Sequence, residues 1–271
     1  GRIGCGTLII ALIASLIFGV DPGRMLGNLQ DGQQQAPLGQ GAPQGGRNAS
    51  ESCTVDALSQ ESCNALSSLN KTWEPIFQKA NIPFHRPKLV FYSQNGRSGC
   101  GAAQSAMGPF YCPEDQGIYL DTDFYRQMAQ ELGADGQFAR DYVIAHEYGH
   151  HVQNLVGLSS QVRHLQDRSP GQANQLSVRL ELQADCYAGV WAAKNKDRMD
   201  PGDMESGLNA AHQIGDDTLM RNAGRNPSPE MFTHGSSAQR MRWLRTGLDS
   251  GDEDQCDTFG GGRKTAGDSN Q

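Results

Sequence analysis

The segment AHEYGHHVQNL, residues 145–155, gathers three of the chain's seven histidines and one glutamate within six consecutive positions. On a helix, side chains four residues apart lie on one face, so His146 and His150 can present two imidazoles to the same point. Another side of the same helix carries an apolar stripe, formed by Ile144, Tyr148, Val152 and Leu155. The pattern predicts a helix that is buried on one side and lines a cleft with its histidines.

The spacing within this segment is typical of a metal site with an adjacent base. Glu147 is rotated by about 100° from His146, which suits a carboxylate that reaches water beside the metal rather than the metal itself. Two neutral imidazoles favour zinc, and H-E-x-x-H is the arrangement in which the glutamate acts as general base. Glu147 and His151 are also four residues apart, but that pair leaves no helical carboxylate as base. We therefore interpret His151 as exposed or as a neighbour of the ligands.

A catalytic zinc ion needs a third protein ligand. The metzincin arrangement would require Gly at position 153 and His at 156, where this chain has Gln153 and Val156, so that class is excluded. Thirty-one residues after His150, the segment RLELQADCYAGVWAA places Glu181 and Asp185 four residues apart on one helical face. One carboxylate could bind the metal while the other orients a ligand imidazole. From the spacing alone, an ordinary solvated acidic face remains the alternative.

The two ends of the chain differ in composition from its middle. Residues 3–20 carry no charge and consist of small or apolar side chains, near the lower limit of roughly 18 residues for a membrane-spanning helix. No small-x-small cleavage signal follows, so we predict an uncleaved transmembrane signal anchor at residues 1–27. A disordered Gln/Gly/Pro-rich linker at 28–52, a catalytic domain at 53–260 and a flexible tail at 261–271 follow. The net charge of −7 without a basic run excludes a nucleic-acid partner.

Six cysteines follow the predicted anchor: Cys53, Cys63, Cys100, Cys112, Cys186 and Cys256. An even number beyond an export signal predicts disulfides in an oxidising compartment. Six cysteines allow fifteen pairings. Proximity favours Cys53 with Cys63 and Cys100 with Cys112, which leaves Cys186 with Cys256 to fasten the C-terminal tail to a core helix. Buried free thiols are the alternative, and the absence of CxxC spacing argues against a cysteine zinc site.

Hydrophobic periodicity predicts an α+β fold that is mainly α, with a small β-sheet. The predicted strands are 88–93 and 117–121, and the predicted helices are 65–80, 121–132, 138–155, 175–196, 202–221 and 236–248. Gly149 costs roughly 1 kcal/mol inside a helix relative to alanine, which indicates that another segment packs closely there. The polar, Gly-rich tail from Asp249 onward is predicted to be loose apart from Cys256.

Four separated motifs, GPFYCPEDQGIYLD, AHEYGHHVQNL, LELQADCYAGVWA and FTHGSSAQRMRWL, resemble in order those of the bacterial neutral zinc metallopeptidases, which are membrane-anchored gluzincin-like proteins. The resemblance covers about residues 53–259. It implies a zincin-like metallopeptidase fold in which Zn²⁺ is held by His146, His150 and Glu181, with Asp185 supporting a ligand. In zincins a strand edge beside the metal receives an extended peptide, and GIYLD is our candidate for that strand.

The segment FTHGSSAQRMRWLRTG is similar to the His-Pro then Arg element of membrane gluzincin peptidases, with Gly235 in place of the proline. By that likeness, His234 stabilises the oxyanion of the tetrahedral intermediate and Arg240 braces the site. The alternative is that Ser236 merely caps a helix, His234 lies in a loop and Arg240 is at the surface.

Together these features predict a zinc metalloendopeptidase that cleaves proteins or peptides, with Glu147 as general base. The resemblance and the anchor place it at a bacterial cell membrane as a single-pass protein, with the catalytic domain on the extracytoplasmic side. The alternative is a membrane-tethered binding or structural protein whose metal site is vestigial or structural. A spare coordination position argues against it, because structural zinc usually has four protein ligands. Hydrolysis of a bond other than a peptide bond is a third hypothesis.

Overall fold

A computed structural model of the 271-residue chain describes residues 53–104, 108–125, 128 and 136–260. The α-helices that the structure describes from end to end are, in chain order, α1 (Ala57–Lys79), α2 (Gln137–Leu155), α3 (Leu158–Arg168), α4 (Ala173–Ala193), α5 (Asp203–Gln213), α6 (Asp216–Asn222) and α7 (Ser237–Ser250). The strands are β1 (Lys88–Tyr92), β2 (Asn95–Ser98), β3 (Gly101–Gln104), β4 (Phe110–Cys112) and β5 (Gly117–Asp121). The prediction of a mixed, mainly helical fold is confirmed.

Two of the helices begin at capping boxes. Asp56 accepts a hydrogen bond from the backbone N–H of Ser59, and the Ser59 hydroxyl accepts one from the backbone N–H of Asp56. Ser236 and Gln239 exchange the same pair of bonds at the start of α7. Each box satisfies two backbone donors that the first turn of a helix leaves unpaired. The local sequence therefore sets where α1 and α7 begin.

The larger sheet has the strand order β1-β5-β4, and β2 and β3 form a separate hairpin. β1 runs parallel to β5, and β4 runs antiparallel to it on the other side. All five residues of β5 are buried. The prediction that GIYLD receives a substrate is therefore wrong, because both edges of this strand are already paired. Among the described residues, β4 pairs on one side only.

The core lies where α2 packs against α4, α1 and the sheet, while α7 packs on α4. The apolar stripe of α2 is buried as predicted, with Ile144, Tyr148 and Val152 at most 3% exposed. A Cβ atom on Gly149 would lie 2.8 Å from Cα of Ala184 in α4. The close approach predicted for Gly149 is thus confirmed, and it sets the distance between the two helices.

The predicted helix at 202–221 is wrong as one element, because the chain adopts an extended conformation at Gly215 and starts a new helix at Asp216. α3 and the short strands β2, β3 and β4 were not predicted. A helix begins at Thr122 as expected, but most of the predicted span 121–132 lies outside the described residues.

The three disulfides are those that proximity favours: Cys53 with Cys63, Cys100 with Cys112, and Cys186 with Cys256. The prediction of a loose tail from Asp249 is wrong as far as residue 260. α7 continues to Ser250, Cys256 is buried, and the hydroxyl of Thr258 donates to the carbonyl of Arg179 at 2.6 Å.

The predicted anchor at residues 1–27, the linker at 28–52 and the tail at 261–271 lie outside the described residues. Within the described part of the chain, every helix is too short or too polar to cross a bilayer.

Candidate metal site

His146 and His150 on α2 face Glu181 on α4, and one donor atom from each lies within 4.8 Å of the other two. His146 Nε2 is 3.0 Å from Glu181 Oε2, and His150 Nε2 is 3.4 Å from Glu181 Oε1. Ligands of a tetrahedral zinc ion with bonds of 2.0–2.1 Å are separated by about 3.3 Å, so these atoms are already at ligand spacing. Two imidazoles and a carboxylate are also a donor set that zinc accepts. The residues present therefore fit the metal.

Asp185 lies behind His146, one helical turn along α4 from Glu181. The Nδ1 atom of His146 donates to Asp185 Oδ1 at 2.8 Å, and the hydroxyl of Tyr142 donates to the same oxygen at 2.6 Å. A neutral imidazole that donates from Nδ1 keeps its lone pair on Nε2, the atom that faces Glu181. The structure thus brings Asp185 to the position that the resemblance implies.

Arg240 on α7 supplies the charge that keeps Asp185 ionised. Its Nε donates to Asp185 Oδ2 and its Nη2 to Asp185 Oδ1, both at 2.9 Å. The guanidinium is buried rather than at the surface. Burial alone would raise the pKa of Asp185, but Arg240 and His146 outweigh it and lower that pKa. Asp185, Arg240, Tyr142 and His146 therefore form a charged bracket, the name used below for this group.

His150 is supported by neutral groups instead. Its Nδ1 donates to Gln153 Oε1 at 2.9 Å, one turn further along α2. The two imidazoles lie edge to face, with ring centroids 4.8 Å apart. His146 and His150 thus present their Nε2 atoms to the same carboxylate of Glu181.

The electrostatics of the cluster favour a bound cation. Desolvation lowers the pKa of His146, but the carboxylates of Asp185 and Glu181 outweigh it and raise that pKa to about 10. Desolvation raises the pKa of Glu181, yet the charges of His150 and His234 and the bond to His146 bring it well below its usual range. Positive charge is therefore stabilised at this point of the fold.

Glu147 is buried beside the cluster without being one of the three grouped donors. Burial raises the pKa of its carboxyl group, and the charges of His146 and His150 oppose that rise. A carboxylate with a raised pKa next to a metal site can both accept and return a proton near neutral pH. The role of Glu147 as general base stays a prediction.

His234 lies in the loop before α7 and is held by Asp216, a residue that the sequence did not single out. Oδ2 of Asp216 accepts the backbone N–H groups of Thr233, His234 and Gly235, at 2.7, 2.7 and 3.1 Å. His234 Nδ1 lies 3.2 Å from Asp216 Oδ1 and 2.9 Å from Oγ1 of Thr233. A charge on His234 acts to lower the pKa of Glu181, so the two side chains are near enough to interact electrostatically.

Gly235 explains why the proline of the related element is absent. Its φ angle is +93°, which proline cannot adopt because its ring fixes φ near −65°. The reversal at Gly235 lets Asp216 collect three consecutive N–H groups. A glycine followed by a helix cap could have suggested such a turn, but nothing in the sequence connects it with Asp216.

Of the two interpretations of His151, exposure is wrong, and its hydrogen bonds go to Tyr111 and His85 rather than to the proposed ligands. The side chain is fully buried, its Nε2 donates to the carbonyl of His85 at 2.6 Å, and its Nδ1 accepts from the hydroxyl of Tyr111 at 3.0 Å. Asn154 Nδ2 also donates to that hydroxyl at 3.0 Å. Burial lowers the pKa of His151 to about 4, so the ring is neutral. Its position, five residues after His146, turns it toward β4, where it fixes Tyr111.

Cys100, Cys112 and Glu114 also lie close enough together to hold a metal ion. The two sulfurs are bonded to each other, however, and a disulfide offers no thiolate to a metal. In the oxidised chain this second grouping has no metal-binding chemistry.

Comparisons with known proteins support the same chemistry. The model of a family described as "Putative neutral zinc metallopeptidase" matches residues 1–259, and this description implies Zn²⁺. The uncharacterized protein YpfJ of Escherichia coli is 45% identical over 263 residues, which cover 96% of this chain and 88% of the relative. The uncharacterized protein Rv2575 of Mycobacterium tuberculosis is 38% identical over 263 residues, which cover 90% of this chain and 85% of the relative. No solved structure matches the chain.

Proposed function

We propose that this chain, which belongs to the family of neutral zinc metallopeptidases, is a zinc-dependent endopeptidase that hydrolyses peptide bonds of proteins or peptides. One observation carries the proposal: two imidazole nitrogens and one carboxylate oxygen converge within 4.8 Å beside a buried glutamate of the same helix. Three protein ligands leave a fourth position open, as a catalytic zinc site requires.

In the proposed mechanism, His146, His150 and Glu181 hold Zn²⁺. Zinc in such a site supplies Lewis-acid chemistry, because it acidifies water and polarises a carbonyl group. Glu147 accepts the proton of the attacking water and delivers it to the leaving amine. The raised pKa of its carboxyl group suits both transfers.

His234 is proposed to donate to the oxyanion that forms when the peptide carbonyl is attacked. Its Nδ1 lies against Asp216 and Thr233, which orient the imidazole and leave Nε2 for the substrate. Asp216 is ionised, since its bonds to His234 and to the loop N–H groups outweigh burial and lower its pKa. A fixed donor of this kind stabilises the transition state more than the substrate.

β4 is the strand that we propose for binding the substrate backbone. It is an edge strand in the described part of the chain, and it contacts α2. The hydroxyl of Tyr111 in the middle of β4 binds His151 and Asn154 of α2. An extended peptide that pairs with this edge would be held at a fixed distance from α2, the helix that carries the two histidines.

The finer identity of the fold and its location are also proposals. A helix with H-E-x-x-H beside a small sheet, followed by a helix that carries the third donor, supports a zincin-like fold. Three disulfides support an oxidising, extracytoplasmic compartment. Attachment to the bacterial membrane through residues 1–27 stays a prediction from composition.

The experiment compares the parent chain with Glu147→Gln, using fluorescently labelled unfolded casein as substrate and elemental analysis for zinc. We expect Glu147→Gln to keep stoichiometric zinc and to lose about 10²–10⁴-fold in kcat, because the base is removed and the ligands are not. The matched control is Glu205→Gln on the exposed surface of α5, which should change neither quantity.

A zinc-loaded parent that leaves casein intact but cleaves p-nitrophenyl acetate would favour hydrolysis of another bond. A zinc-loaded parent that cleaves neither would favour the tethered binding protein. Glu147→Gln with parental activity would contradict the assignment of the base.

A further inference from the structure

The neutral support of His150 extends beyond Gln153 and ends at a backbone carbonyl. Gln153 Nε2 donates to the carbonyl of Leu180 at 2.7 Å and to Oε1 of Gln183 at 3.0 Å. Gln183 Nε2 donates to the carbonyl of Cys256 at 3.0 Å. We call Gln153 and Gln183, between His150 and Cys256, the amide relay.

The backbone carbonyls of Leu180 and Cys256 fix the direction of every hydrogen bond in the relay. A backbone carbonyl can only accept, so Gln183 presents its NH₂ group to Cys256 and its oxygen to Gln153. Gln153 must then present its NH₂ group to Gln183 and Leu180, and its oxygen to His150. The Nδ1 atom of His150 therefore carries the proton, which leaves the lone pair on Nε2.

Burial makes this direction costly to reverse. Gln153 is fully buried and Gln183 is 6% exposed, so neither amide can exchange its partners for water. Turning either amide over would place two acceptors against each other and leave a buried donor unpaired. The relay therefore permits one tautomer of His150.

The far end of the relay is fastened by a disulfide. Cys256 is joined to Cys186, which lies on α4 three residues after Gln183. Without that bond, the carbonyl of Cys256 would lose its covalent connection to α4 and would be held only by packing and by hydrogen bonds such as that of Thr258 with Arg179. The disulfide thus connects the segment after α7 with α4, at the residue that follows Asp185.

We propose that Gln153 and Gln183 are positioning residues that hold His150 in its metal-binding tautomer, and that the Cys186–Cys256 disulfide anchors the end of this relay. The inference rests on the proposed zinc site. If the relay acts in this way, the zinc affinity of the chain depends on a disulfide whose sulfur atoms do not bind the metal.

The first test measures the zinc dissociation constant of the whole chain by competition with a chelating dye. Gln153→Met, which keeps the length of the side chain and removes its bonds, should weaken zinc binding about 10–100-fold. The matched control is Gln166→Met, because Gln166 also donates from Nε2 to two acceptors, in α3 away from the cluster. The control should leave the dissociation constant unchanged.

The second test removes disulfides in pairs. The double variant Cys186→Ser/Cys256→Ser should bind zinc several-fold more weakly than the parent chain. Cys53→Ser/Cys63→Ser, which also loses one disulfide, should bind zinc as the parent does. Equal zinc affinities in these two variants would overturn the role of the disulfide.

Two further measurements separate positioning from folding. If Gln153→Met does not fold, Gln183→Leu takes its place, and parental zinc affinity in either folded variant would overturn the relay. Nitrogen NMR of zinc-loaded, ¹⁵N-histidine-labelled chain should show His150 protonated at Nδ1. These results are independent of catalysis: a chain that binds zinc through the relay but cleaves no peptide would contradict the proposed function only.

Discussion

The two histidines of the H-E-x-x-H motif lie one helical turn apart, yet they are supported in opposite ways. His146 is held by the charged bracket, in which Asp185 receives three donors besides the imidazole and pairs with a buried guanidinium. His150 is held by the amide relay, which contains no formal charge. Both arrangements end in the same result, a proton on Nδ1 and an Nε2 atom directed at the carboxylate of Glu181.

Each support includes one residue from the same short stretch of α4. Gln183 and Asp185 flank Ala184, the residue against which Gly149 of α2 packs. A charged group costs more to bury alone than an amide does, and its charge changes with pH, whereas an amide stays neutral. One site can therefore fix two equivalent ligands while depending on charge for only one of them.

The largest expected difference in stability separates Asp185→Ala from Gln183→Leu. Removing Asp185 leaves Arg240 buried without its partner and takes an acceptor from Tyr142 and His146, so the free energy of unfolding should fall by about 3–5 kcal/mol. Removing Gln183 leaves only neutral groups unpaired and should cost about 1–2 kcal/mol. Urea unfolding of the metal-free chain measures both changes.

A double variant, Asp185→Leu/Arg240→Met, tests the reason for that difference. Because both charges leave together, we expect it to recover most of the stability that Asp185→Ala loses. Equal losses for Asp185→Ala and Gln183→Leu would mean that the charge of the bracket does not set its cost.

The second prediction uses pH to separate the two supports. The pKa of Asp185 is lower in the folded chain than in the unfolded chain, because Arg240 and His146 outweigh its desolvation. Its contribution to stability is therefore present above the unfolded value of about 3.9 and is lost as the pH falls through the folded pKa. Each pH unit between the two pKa values is equivalent to about 1.4 kcal/mol.

Guanidinium unfolding of the metal-free chain at pH 5 and pH 3 measures this loss. Glu181 and Asp216 also have lowered pKa values and add to the slope, so the comparison needs variants. Gln183→Leu should keep the parental slope, and Asp185→Leu/Arg240→Met should flatten it. Identical slopes in all three chains would show that the bracket does not titrate on unfolding.

The sequence predicts those parts of the site that follow from helical spacing. His146, Glu147 and His150 are fixed by their own helix, and Glu181 and Asp185 by theirs, so each set needs only local periodicity. The resemblance adds the connection between the two helices. The strands 117–121 and 88–92 could likewise be recognised from their short apolar runs.

The remaining parts depend on contacts between segments far apart in sequence. Asp216 serves a loop seventeen to nineteen residues later, and Gln183 meets a carbonyl 73 residues later. β4 is three residues long and is stabilised by its partner β5 rather than by its own propensity. The burial of His151 could not be predicted in this way. Helical spacing shows that its side chain points away from the metal-binding face of α2, but not that β4 and the carbonyl of His85 pack against that side of the helix.

The smallest predicted effect acts on both supports at once. In Gly149→Ala, the new Cβ would lie 2.8 Å from Cα of Ala184 and 3.0 Å from its carbonyl oxygen, so α4 must shift. Overpacking costs about 1–3 kcal/mol, and the better helix propensity of alanine returns about 1 kcal/mol. We expect a net loss of about 1 kcal/mol in unfolding free energy, together with a several-fold weaker zinc affinity, since Gln183 and Asp185 move with Ala184.

Gly171→Ala is the matched control, because a Cβ at Gly171 meets nothing within 4 Å. It should leave zinc affinity unchanged and alter stability by less than about 0.5 kcal/mol. If Gly149→Ala weakens zinc no more than Gly171→Ala does, the distance between α2 and α4 is not what aligns the two imidazoles. The charged bracket and the amide relay would then act independently of that contact, each through its own residues.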